Sequence, residues 1–131
     1  MNSLQYAEYL SDDELQKVAP LLKRLKKLED RSESQEDYLR FVKKIWSGFI
    51  EGKHHKIYGE KLQAVADGKI KRLIVNMPPR HTKSEFASYL FPAWLMGKRP
   101  DLKIIQATHT AELAVGFGRK VKNLIDSEDF R

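Results

Sequence analysis

The chain has 131 residues, 41% of them hydrophobic and 32% charged, with a formal net charge of +6, enough for one domain with a buried core and short for a complete nucleotide-driven motor. It has no cysteine, which excludes disulfides and thiolate metal sites. No apolar run reaches the length of a membrane span, and residues 1–20 lack the basic start and apolar centre of a signal peptide, so the sequence reads as soluble and intracellular, without a membrane partner.

The charge is uneven along the chain. Residues 1–37 carry six basic and nine acidic side chains, a net −3, whereas residues 38–131 carry eighteen and nine, a net +9. A basic surplus favours polyanions, whether nucleotide or nucleic acid, through steering and counterion release. Solvated lysine faces on helices are the plainer explanation.

In chain order, Ser11 and Glu14 have the spacing of a capping box, and Leu15, Val18, Leu22, Leu25 and Leu28 recur behind them at helical intervals. Pro20 interrupts that pattern and predicts two short helices or one kinked helix. The charged residues 29–36 read as a linker, so residues 1–37 form a helical extension. Ser34 is placed to cap a helix whose apolar face is Tyr38, Phe41, Val42, Ile45, Trp46 and Phe49, ending at Gly52. Ile57, Tyr58, Leu62, Val65 and Ala66 predict a further helix closed by Gly68.

Residues 72–76 then read as a buried strand. A helix from about Lys83 carries Phe86, Ala87, Leu90, Phe91 and Leu95 and stops at Gly97, with Pro92 placed to bend it. Residues 102–107 read as a second strand, and Thr108 or Thr110 caps a last helix with Leu113, Ala114, Phe117, Val121, Leu124 and Ile125 inside. The β-α-β-α order predicts an α/β fold with parallel strands preceded by an α-helical N-terminal region, with ligand beyond the strands' carboxyl ends.

Residues 77–84 lie there and carry the chemistry: Met77-Pro78-Pro79-Arg80-His81-Thr82-Lys83-Ser84 joins the first strand to the helix after it. It looks like a degenerate phosphate-binding loop. Lys83 is placed to reach the β- and γ-phosphates of ATP, and the Ser84 hydroxyl to ligate Mg2+. Met77 and Thr82 stand where GxxxxGK[ST] requires glycine, and β-branched Thr82 predicts an altered loop path or a weaker phosphate contact. Pro79, Arg80, His81, Thr82, Lys83 and Ser84 are the candidate nucleotide-binding residues. The remaining histidines suggest no metal centre: His54 and His55 are adjacent and so diverge on a helix, and His81 and His109 occupy separate loops without carboxylates at ligand spacing.

The string Pro78-Pro79-Arg80-His81-Thr82-Lys83-Ser84-Glu85, with Gly52-Lys53-His54-His55 before it and Ile104-Ile105-Gln106-Ala107-Thr108-His109-Thr110 after it, resembles the large terminase subunit of tailed bacteriophages. The likeness covers about residues 38–125. It implies a P-loop ATPase domain of the additional-strand type, of which residues 38–131 are the N-terminal portion, and in complete members a nuclease domain. It implies ATP and Mg2+ as cofactors, Lys83 and Ser84 as the Walker A lysine and hydroxyl, and Arg80 as a catalytic arginine. It also implies double-stranded DNA, a portal protein and a small terminase subunit as partners in a homo-oligomeric motor, working in the cytoplasm of an infected bacterium at the prohead portal. Two parts of the family's pattern do not occur in these residues: an apolar strand ending in Asp-Glu, and the nuclease carboxylates. The chain therefore reads as the front of the ATPase domain, with weak nucleotide binding and very slow hydrolysis by itself. Two other readings use the same residues: a nucleic-acid-binding module that holds DNA through basic residues with Trp46 and Tyr58, and a purely structural assembly piece.

Overall fold

A computed structural model of the chain describes residues 11–130. Among the described residues the elements are α1 (Asp12–Glu36), α2 (Tyr38–Ile45), α3 (Lys53–Ala66), a π-helix (Glu85–Leu90), α4 (Phe91–Lys98) and α5 (Ala111–Ile125). Of the described residues 65% are helical and none lies in a strand. This corrects the expectation of an α/β fold with parallel strands of the P-loop type.

The reason is where each element finds its hydrogen bonds. A helix closes them within itself, whereas a strand needs a neighbour, and two parallel strands make a poor sheet. Residues 72–76 and 102–107 run without pairing. Leu73, Val75 and Met77 pack on the helical core, but Ile74 is 88% exposed and Ile105 95% exposed. The alternation that reads as strand therefore marks extended chain with one face laid on helices.

The chain divides into two units, Met1–Glu33 and Ser34–Arg131. In the first, Ser11 opens α1, its backbone N–H and hydroxyl both donating to the Glu14 carboxylate at 3.0 and 2.7 Å. These bonds lower the Glu14 pKa. Pro20 lies inside α1 without dividing it, and the helix continues over residues 29–36, where the sequence suggests a linker. Leu25 and Leu28 are exposed.

In the second unit the N-cap of α2 is Asp37, not Ser34: its carboxylate accepts from the Arg40 N–H at 2.9 Å. Ser34 is buried, and its carbonyl accepts from the Trp94 indole at 2.9 Å. α2 ends at Ile45, sooner than its apolar face, so Trp46 and Phe49 lie in the following turn. Phe49 still reaches the core, with its ring centroid 5.7 Å from that of Phe86.

The core of this unit is Tyr38, Phe41, Val42, Tyr58, Leu62, Phe86, Leu90, Ala93, Trp94, Val121 and Leu124, with Ala66 at its edge. α3 starts at Gly52 and closes through Gly68 (φ 75°), where the Lys69 N–H bonds the Ala64 carbonyl and the Gly68 N–H that of Val65. Those two bonds satisfy last-turn carbonyls, and the left-handed turn they require suits glycine.

Pro92 stands in the first turn of α4, and the chain widens into the π-helix before it. The Phe91 N–H bonds the Phe86 carbonyl five residues back, and the same carbonyl accepts the buried Tyr38 hydroxyl at 2.7 Å. A proline lacks the N–H its helix would use, and a wide turn before it accommodates the ring. Thr110, not Thr108, caps α5, accepting from the Leu113 N–H at 3.3 Å.

Candidate functional site

The loop at residues 77–84 is bounded on one side by extended chain and on the other by the wide helical turns from Glu85. Pro78 and Pro79 restrict its first half, since each fixes φ near −65° and offers no N–H. Its second half takes a rare backbone: Arg80 has φ 64° and Thr82 φ 61°. For an L-residue this left-handed region costs roughly 1–2 kcal/mol, and a β-branched residue there is an outlier. The second glycine position of the motif thus keeps a glycine-like backbone although it holds threonine.

The contacts of Thr82 account for this. Its hydroxyl donates to the His81 carbonyl at 2.6 Å and lies 2.9 Å from Nε2 of His55. With the hydroxyl proton so used, Nε2 is the donor in the second contact. The other ring nitrogen, Nδ1, accepts from the Gly52 N–H at 2.9 Å. His55 is therefore neutral and protonated on Nε2 alone. It is 7% exposed, stacked on Phe86 at 5.3 Å and edge-on to Phe49 at 4.8 Å. Burial lowers its pKa and His54 adds to the lowering, while Glu51 opposes it and His81 contributes least.

Tyr58 completes the floor, its hydroxyl donating to the Lys83 carbonyl at 3.2 Å. Burial pushes the Tyr58 pKa up to about 12 and that of Tyr38 well above the ordinary value, with Tyr58 a lesser contributor to the latter. Both remain neutral donors. α3 and the aromatic core thus hold the loop backbone from beneath.

The loop borders an open concavity of about 570 Å³, lined by Trp46, Met77 and Pro78 together with Pro79, Arg80, Thr82, Lys83, Ser84 and Glu85. Five of the six nucleotide-binding candidates meet there. His81 is not in the lining; its Nδ1 lies 2.9 Å from the Pro79 carbonyl and its ring 5.8 Å from that of His54. Arg80 and Lys83 are exposed cations on one rim, with Lys83 Nζ 3.4 Å from the Met77 carbonyl. Ser84 is exposed and makes no capping bond. Glu85, the one acidic lining residue, is paired with Lys120 at 3.0 Å, which reduces its repulsion of an anion.

His55, Tyr58 and Trp46 are the site residues that sequence spacing did not assign to the loop. A signal existed for His55, which lies in the Gly52-Lys53-His54-His55 string of the resemblance, but nothing in the spacing pairs it with Thr82, 27 residues on. Compared with protein-family models, with curated proteins and with solved structures, the chain gives no match. Among the described residues no helix is long and apolar enough to cross a membrane.

Proposed function

We propose that residues 77–84 bind the phosphates of ATP, and that the chain is the ATP-binding part of a DNA-packaging motor of the large terminase type. The observation that carries the reading is the left-handed backbone of Thr82 at the motif's second glycine position, directly before Lys83 and Ser84 on the wall of an open concavity. Helices and an aromatic floor, rather than a sheet, support the loop.

In this reading Lys83 and Arg80 neutralise phosphate charge, with Arg80 the candidate for charge developing on the γ-phosphate. The Trp46 and Met77 side of the concavity offers apolar surface to the rest of the nucleotide. Magnesium fits the donor set in part: Ser84 supplies one hydroxyl, and phosphate oxygens and water complete an octahedral shell. Bound there, the ion would neutralise phosphate charge. Glu85 is held by Lys120, and no other carboxylate lines the concavity to orient a water, so hydrolysis by this chain alone is slow. DNA, the portal, the small subunit and further copies of the chain are the partners in this proposal, and the infected bacterial cytoplasm is its place. The net +9 of residues 38–131 supports the DNA part.

Titration of a fluorescent ATP analogue with magnesium tests the reading, with unlabelled ATP, ADP, inorganic phosphate and duplex DNA as competitors. Saturable binding displaced best by ATP and lost in Lys83→Ala is the expected result. Equal affinity in that variant, or displacement by DNA alone, overturns the nucleotide site.

A further inference from the structure

The loop lacks both glycines of its motif, yet Thr82 takes the backbone that glycine adopts without penalty. Something outside the loop must hold it there. We propose that His55 is the positioning residue: its Nε2–H, bonded to the Thr82 hydroxyl, locks the left-handed turn and so shapes the phosphate loop in place of the missing glycine.

Three observations carry this. First, the two hydrogen bonds at Thr82 Oγ1 tie residue 82 to the carbonyl before it and to a different helix, so the turn is defined both locally and from a distance. Second, the imidazole is fixed at its other end. The Gly52 N–H donates to Nδ1, and this selects the tautomer that leaves Nε2 as a donor. Third, the ring is packed between aromatic faces, Phe86 stacked and Phe49 edge-on, so its position is set by the core rather than by the loop. The chain of contacts runs from core to imidazole to hydroxyl to backbone.

This explains how threonine can occupy a glycine position. Its hydroxyl supplies the attachment that glycine does not need, and the strain is offset by the bond to His55. Valine at residue 82 would keep the strain and lose the attachment. Glycine would lose both.

The inference rests on the nucleotide reading for its consequence but not for its test. The decisive experiment is a double-mutant cycle on the whole chain, crossing His55→Asn with Thr82→Gly, read in two ways: thermal unfolding without ligand, and affinity for ATP with magnesium. Asparagine at residue 55 places its amide near the Nδ1 position and cannot reach Thr82. Glutamine reaches the Nε2 position and retains a donor.

In the parent chain, His55→Asn should lower the unfolding midpoint and weaken ATP binding about tenfold, the factor set by a left-handed residue losing its restraint. In the Thr82→Gly background the same change should leave affinity almost unaltered and lower the midpoint by less, since only the ring's packing on Phe86 and Phe49 is then lost. His55→Gln should keep affinity within about threefold of the parent, a rescue that simple loss of core packing would not give. Additive effects in the unfolding cycle would overturn the clamp, as would equal loss in the Asn and Gln variants. If the parent chain binds no ATP, the nucleotide reading fails, and the clamp is then decided by the unfolding cycle alone.

Discussion

The apolar segments before and after the phosphate-loop candidate differ in what the fold made of them. Residues 72–76 precede it and leave Ile74 88% exposed; residues 85–94 follow it and bury Phe86, Leu90, Ala93 and Trp94 almost completely. The following segment satisfies its backbone within its own turns and is free to turn one face to the core. The preceding segment has no neighbouring strand, so only alternate residues reach the helices. One side of the loop is thus anchored by aromatic packing, and the other lies extended on its surface.

The contrast breaks most sharply at Phe86. Phe86→Ala removes the ring that His55 and Tyr58 stack on, and should cost about 3–5 kcal/mol by chemical denaturation. A loss below about 1 kcal/mol would mean that this side is no better anchored than the other.

Lys83→Ala, on the loop itself, should leave the fold intact by circular dichroism. It should weaken binding of ATP with magnesium by about 10–100-fold, the usual worth of hydrogen bonds to charged groups. Calorimetric titration measures this directly.

Acidification sharpens the contrast through His55. Its folded pKa lies below the unfolded value of about 6.5, so between those two values the unfolded chain binds more protons than the folded one. Stability from this group is complete above about pH 6.5 and is lost as pH falls towards the folded value. Glu14, Glu51 and Asp67, held below their ordinary values chiefly by hydrogen bonds from Ser11, Lys43 and Gln63 respectively, act only at lower pH. Unfolding followed from pH 7.5 to 5 should show the His55 loss, and His55→Gln should remove it. An unchanged slope in that variant would place the titration elsewhere.

The smallest effect belongs to the extended side. Ile74→Ser and Ile105→Ser replace side chains that are almost wholly exposed, and each should alter unfolding free energy by no more than about 0.5 kcal/mol. A larger loss would show that these segments bury apolar surface in solution.

The sequence already marks several helix ends of this protein, because helical signals are local. Ser11 with Glu14, Gly68 after Ala66 and Thr110 before Ala111 mark boundaries through bonds spanning three to six residues. It also determined the position of Lys83 and Ser84 at the end of a Pro-rich loop. Tertiary structure alone decided that residues 72–76 and 102–107 stay unpaired, since alternation records which faces are covered and not whether a neighbouring strand exists. It decided, too, that α1 runs on through Pro20 and that Asp37 rather than Ser34 caps α2. Finally, it brought His55 of α3 to Thr82, because that contact depends on how α3 and the aromatic floor pack beneath the loop and leaves no trace in the spacing of either residue.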